Sequence, residues 1–95
     1  MAGLDPAIHV WKRNMPVVFR DKGLRYFFFS NEGSPREPVH IHVTGNGCDA
    51  KIWIHPEVAI CDSYGFNSRE LGDILQVVET NRQKILKAWH DHFAD

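Results

Sequence analysis

The sequence predicts an α+β domain, an antiparallel β-sheet of four to five strands (two hairpins) packed against a long C-terminal helix. Three patterns carry that expectation. Residues 39–54 alternate at period two around Gly45-Asn46-Gly47, two short apolar runs flank Asp21-Lys22-Gly23, and from Asn67 onward the apolar residues recur at helical spacing. A chain of 95 residues has room for one core and buries only about 60–65% of its unfolded surface. Hydrophobic residues make up 43% of it, with 3 Trp, 2 Tyr and 6 Phe, so a packed core forms without disulfide or metal staples.

Residues 1–14 read as an N-terminal extension, partly ordered, with Pro6 and no clear period; Ile8, Val10 and Trp11 are its means of docking on the core, and residues 15–95 are the domain proper. Met15-Pro16 opens a strand pattern. Val17 to Arg20 and Leu24 to Phe29 then form a first hairpin across a three-residue loop in which Gly23 supplies the positive φ. The four aromatics Tyr26 to Phe29 put large rings on both faces, which requires cover on each side, by the extension or by a partner.

The second hairpin is more specific, because Asn46-Gly47 suits a type I′ turn. That tip pairs Val43 with Ala50, Ile41 with Ile52 and Val39 with Ile54, which makes one face aliphatic. The other face carries His40, His42, Thr44, Asp49, Lys51, Trp53 and His55, with His40 opposite Trp53 and His42 opposite Lys51. A tip at Gly45-Asn46 keeps the faces and changes the partners. Pro56 ends the strand, and Val58 to Cys61 is a candidate fifth strand at an edge.

Asn67 caps a helix and Glu70 reaches back to it; Leu71, Ile74, Leu75, Val78, Ile85, Leu86, Trp89 and Phe93 keep one helical phase. This predicts one helix over 68–93, with a break near Thr80-Asn81 as the alternative. Arg82 falls within the stripe. Its stem either covers apolar surface while the guanidinium reaches water, or the guanidinium meets a carboxylate or bound anion over the sheet.

The net charge is −1, which disfavours non-specific nucleic-acid binding; Arg20, Lys22 and Arg25 around the first turn leave a specific RNA or DNA contact open. Cys48 and Cys61 lack finger or CxxC spacing and no basic leader precedes an apolar stretch, so the setting expected is reducing and cytoplasmic. No apolar run approaches the roughly 18–20 residues needed to span a bilayer, so no membrane is expected.

The candidate site centres on Ser30 to Val43, a proline-punctuated loop that leads into His-Ile-His. The binding surface expected is Arg36, His40, His42, Lys51, Trp53, His55 and Arg82. Its exposed Trp53 among histidines, the doubly aromatic strand and a free strand edge point to a protein partner or homo-oligomer. In an alternative reading, His40 and His42, about 6–7 Å apart along one strand face, hold a divalent metal such as zinc in a hydrolase or nuclease. His55, Glu32, Glu37 or Asp49 is then the third ligand, while His90 and His92 sit about 200° apart on the helix and cannot chelate together. A further reading makes His40 or His42 a general acid–base in metal-free RNA cleavage, with Arg36 stabilising phosphate charge. Glu32 and Glu37 as an acid/base pair, and Cys48 and Cys61 as nucleophiles, rank below these. The ordinary alternative is that both histidines bond to backbone or carboxylate neighbours.

Several motifs occur in order: Phe27-Phe28-Phe29-Ser30-Asn31-Glu32-Gly33, Pro35-Arg36-Glu37-Pro38-Val39-His40-Ile41-His42-Val43, Ala50-Lys51-Ile52-Trp53, Tyr64-Gly65-Phe66-Asn67-Ser68-Arg69-Glu70-Leu71 and Ala88-Trp89-His90-Asp91-His92-Phe93. Together, over residues 15–93, they resemble the small bacterial family known as domain of unknown function 4160. His55, where the family is more often apolar or acidic, and His92, where an aromatic is more usual, depart from its pattern, so a metal site using either is peculiar to this chain. The resemblance implies a stand-alone α+β domain, suspected of belonging to two-gene toxin–antitoxin-like modules, and carries no established activity.

Overall fold

The computed structural model describes residues 17–29 and 37–93. Five antiparallel strands stand in sequential order: β1 (Val17–Asp21), β2 (Leu24–Phe27), β3 (His40–Gly45), β4 (Cys48–Trp53) and β5 (Ala59–Tyr64). Two helices follow, α1 (Ser68–Thr80) and α2 (Arg82–Phe93), and they cover one face of the sheet. The extension expected over residues 1–14, together with Met15, Pro16, Glu32 and Arg36, lies outside the described residues.

The β3–β4 hairpin has the expected register. Asn46 (φ 54°) and Gly47 (φ 77°) form the tip, and His40↔Trp53, Ile41↔Ile52, His42↔Lys51 and Val43↔Ala50 are direct partners. The Ile54 N–H donates to the Val39 carbonyl at 2.8 Å and extends the pairing by one step. The first turn differs from the expected three-residue loop. Asp21 pairs with Leu24, leaving Lys22 (φ 50°) and Gly23 (φ 81°) as a two-residue tip. Two positive-φ residues match the right-handed twist of the flanking strands, and Lys22 enters a region usually left to Gly or Asn. Gly45 lies so close to this turn that a Cβ there would sit 2.6 Å from Leu24 Cδ2 and 2.9 Å from the Gly23 oxygen.

The covered face buries Tyr26, Phe28, Ile41, Val43, Ile52 and Ile54 against Ile74, Val78, Ile85 and Trp89. The Phe28 and Trp89 rings meet edge to face at 5.2 Å, and Phe19 stacks on Tyr26 at 4.5 Å. Every helical residue in this core belongs to the apolar stripe visible in the sequence.

Asn67 and Glu70 form the expected capping box: the Glu70 N–H donates to Asn67 Oδ1 at 2.8 Å and the Asn67 N–H to Glu70 Oε1 at 2.9 Å. The single helix expected over 68–93 is divided at Asn81. Its side-chain amide donates to the Val77 carbonyl at 2.8 Å, while its N–H is shared between the Val77 and Val78 carbonyls. A short polar side chain that competes for backbone groups loosens the ladder locally. The Ile85 N–H donates to the Asn81 carbonyl at 2.9 Å, so the interruption lasts one residue and the apolar phase survives it.

β5 closes the described sheet at its C-terminal edge and runs to Tyr64, beyond the expected Cys61. Asp62 faces Lys51 whereas Ile60 faces Ile52, so Cys61 is the extra residue of a bulge.

Candidate functional site

The face of the sheet away from the helices carries the residues that the alternation assigns to it. Register places them in rows: Arg20, Arg25, Thr44, Asp49 and Tyr64 form one, and Val17, Phe27, His42, Lys51 and Asp62 the next. The groove over these rows has a volume of about 580 Å³, within the range of roughly 300–1,000 Å³ typical of ligand sites.

The floor of the groove is aromatic. Phe27, only 5% exposed, lies with its ring centroid 5.2 Å from Phe29 and 5.6 Å from His42, and Phe29 meets His42 at 4.5 Å. The double aromatic character of Tyr26 to Phe29 thus serves both faces: Tyr26 and Phe28 go to the core, Phe27 and Phe29 to the groove.

Charge is divided across the groove. Arg20 and Arg25 are exposed and directly opposite each other on β1 and β2. Asp49 and Asp62 stand on β4 and β5, and Lys51 lies between Asp62 and His42 in its row. Neither arginine nor Asp49 has an ion pair among the described residues. The sequence marked Arg20, Lys22 and Arg25 as a hairpin-tip cluster. The three-residue loop expected there pairs Arg20 with Leu24 and sets the two arginines on opposite faces; the two-residue tip instead brings them directly opposite each other.

His40 and His42 take different positions. His42 is half-buried and lines the groove. His40 is fully buried, 0% exposed, and leaves the accessible surface on which the alternation had set it. Its ring lies 5.2 Å from Trp89, 5.6 Å from Trp53 and 5.2 Å from His42. Its Nδ1 donates to the Pro38 carbonyl at 2.9 Å, with Glu37 Oε1 at 3.7 Å. Period two dictates side, not depth, and His40 begins its strand where the aromatic end of α2 reaches the sheet.

Lys51 donates to Glu37 Oε1 at 2.9 Å and holds its ammonium 4.7 Å from the Trp53 ring centroid. Trp53 is half-buried rather than exposed. His55 is exposed beyond the end of β4. Arg82 is half-buried, and its Nε donates to the Ile54 carbonyl at 3.3 Å, a contact that ties the start of α2 to the end of β4. His90 and His92 are both exposed, with the His92 ring against Phe93 at 4.5 Å. Cys48 is half-buried, Cys61 exposed, and both are free thiols.

No three His, Cys, Asp or Glu side chains converge as a metal-ligand set among the described residues. No helix among them is long and apolar enough to cross a membrane.

Neither the curated proteins nor the solved structures contain a match to this chain. Residues 23–90, from the first turn to the start of the last turn of α2, match the family model described as Domain of unknown function (DUF4160), and the chain belongs to that family.

Proposed function

We propose that this domain is a protein-binding module that docks its partner on the open face of the sheet. The supporting observation is the polarised charge of that face. Arg20 and Arg25 oppose each other directly, an arrangement that disfavours the isolated hairpin, and no carboxylate among the described residues neutralises them. A partner with carboxylates over β1 and β2, and lysine or arginine over β4 and β5, relieves that repulsion and matches Asp49 and Asp62. The aromatic floor of Phe27, Phe29 and His42 receives an apolar anchor between the two charged margins. The family resemblance makes the product of a neighbouring gene, in a toxin–antitoxin-like pair, the first partner to try.

The test is reconstitution. A protein that co-purifies from the native host is identified, made separately and mixed with the parent chain and with an Arg20→Glu/Arg25→Glu variant. Loss of binding at least about tenfold supports the reading. Equal binding by the variant, or a chain that is a homodimer through this face by light scattering, rejects it.

A second reading, that His40 and His42 hold a divalent ion such as zinc in a hydrolase or nuclease, draws support from one bond. His40 Nδ1 donates to the Pro38 carbonyl, a backbone bond of the kind that fixes the orientation of metal-ligating imidazoles. Untagged protein from its native host that lacks stoichiometric metal rules this reading out.

A further inference from the structure

A second cleft, of about 210 Å³, lies on the helix-covered side between the two hairpin turns and α1. Leu24, Phe66, Ile74 and Val77 form its apolar wall. Asp21 from β1 and Asp73 from α1 line it, and neither carboxylate has a hydrogen bond or ion pair among the described residues; Glu70 also lines it but is engaged in the helix cap. Lys22 supplies the one positive charge among the described lining residues, against three carboxylates.

The feature that turns these carboxylates into a site is Tyr26. The residue is 1% exposed and lines the cleft, and its hydroxyl has no hydrogen-bond partner among the described residues. Its ring is held from behind by stacking on Phe19. No side-chain oxygen among the described residues is both fully buried and unpartnered, so the phenol oxygen of this otherwise buried residue reaches accessible space, where a ligand donor can meet it. Burial, reinforced by Asp21 and then Asp73, pushes the Tyr26 phenol up to about 12, so it stays neutral in physiological buffers.

We infer that this cleft binds an alkylammonium or alkylguanidinium group. The cation sits at Asp21 and Asp73 and donates to Tyr26 Oη, and its aliphatic stem lies along Leu24, Phe66 and Val77. The volume lies below the roughly 300–1,000 Å³ of sites for larger small molecules, which suits one basic side chain or a short amine. This inference is independent of the open face, which lies on the other side of the sheet.

The experiment is an amide NMR titration of the folded chain with n-butylammonium, n-butylguanidinium, a blocked Gly-Arg-Gly tripeptide, and n-butanol as neutral control. Saturable shifts confined to residues 21–26 and 70–77 are expected with the cations and not with n-butanol. Binding of the tripeptide identifies a peptide side chain as the source, and binding of the small cations alone identifies a free amine. Asp21→Asn/Asp73→Asn should weaken the response by about tenfold or more. Tyr26→Phe, which keeps the stacked ring, should weaken it less while the spectrum stays dispersed. Equal response to n-butanol, no response to any cation, or an unchanged affinity in the Asn variant overturns the inference.

Discussion

The two faces of this sheet are made from the same strands and do opposite things. On the covered face Ile41, Val43, Ile52 and Ile54 are wholly buried against Ile74, Val78, Ile85 and Trp89. One residue along each strand, the open face presents Arg25, His42, Asp49 and Lys51 around an aromatic floor. Period two therefore separates burial from charge: the first face carries the apolar burial that holds the domain together, and the exposed charges of the second can change at little cost in stability.

The largest expected effect breaks the covered face. Trp89→Ala removes the ring that meets Phe28, Phe93 and His40, and should lower unfolding free energy by about 3–5 kcal/mol in urea titration. Asp49→Ala, on the open face, should stay within about 0.5 kcal/mol. A comparable loss for both would erase the distinction between the faces.

The next test sharpens the comparison at two histidines of one strand. His40→Ala should behave as a core substitution, costing about 2–3 kcal/mol through the cavity beside Trp89 and the unsatisfied Pro38 carbonyl. His42→Ala, at the half-buried groove, should cost about 1 kcal/mol or less. The opposite order would contradict the difference in depth between the two rings.

Tyr26 gives a pH signature to the covered side. Its folded pKa is raised from 10.0 to about 12 by burial first, then by Asp21 and Asp73. The unfolded chain therefore deprotonates earlier, so this contribution to stability is fully present below pH 10 and is lost as pH rises toward about 12. Tyr26→Phe should flatten the stability profile across that window, and an unchanged slope would show that other groups produce it. The smallest effect is expected at the helix break. Asn81→Ala trades the Val77 bond for better helix propensity and should shift stability by no more than about 0.5 kcal/mol, read together with amide exchange at residues 80–82.

Much of this arrangement was legible in the residues. Asn46-Gly47 set the register of β3 and β4, and with it the partition of His42, Thr44, Asp49 and Lys51 from the aliphatic side, because a type I′ turn leaves little freedom in the pairing. Asn67 and Glu70 marked the start of α1 by a local, reciprocal bond. Features that depend on remote contacts were not legible. The burial of His40 comes from Trp89 in α2. The cleft around Tyr26 joins Asp21 and Asp73 from opposite ends of the chain with no shared spacing. The Lys22-Gly23 tip requires a lysine at positive φ, for which composition carries no signal.

The claim on which the account turns is that the polarised open face binds a protein. Isothermal titration of the reconstituted partner into the parent chain, into Arg20→Glu/Arg25→Glu and into Lys87→Ala tests it most directly, since Lys87 is exposed on α2 and, among the described residues, pairs locally with Asp91. The account predicts binding by the parent and by Lys87→Ala, with a loss of at least about tenfold for the double variant at unchanged melting temperature. Equal affinity across all three chains would contradict it.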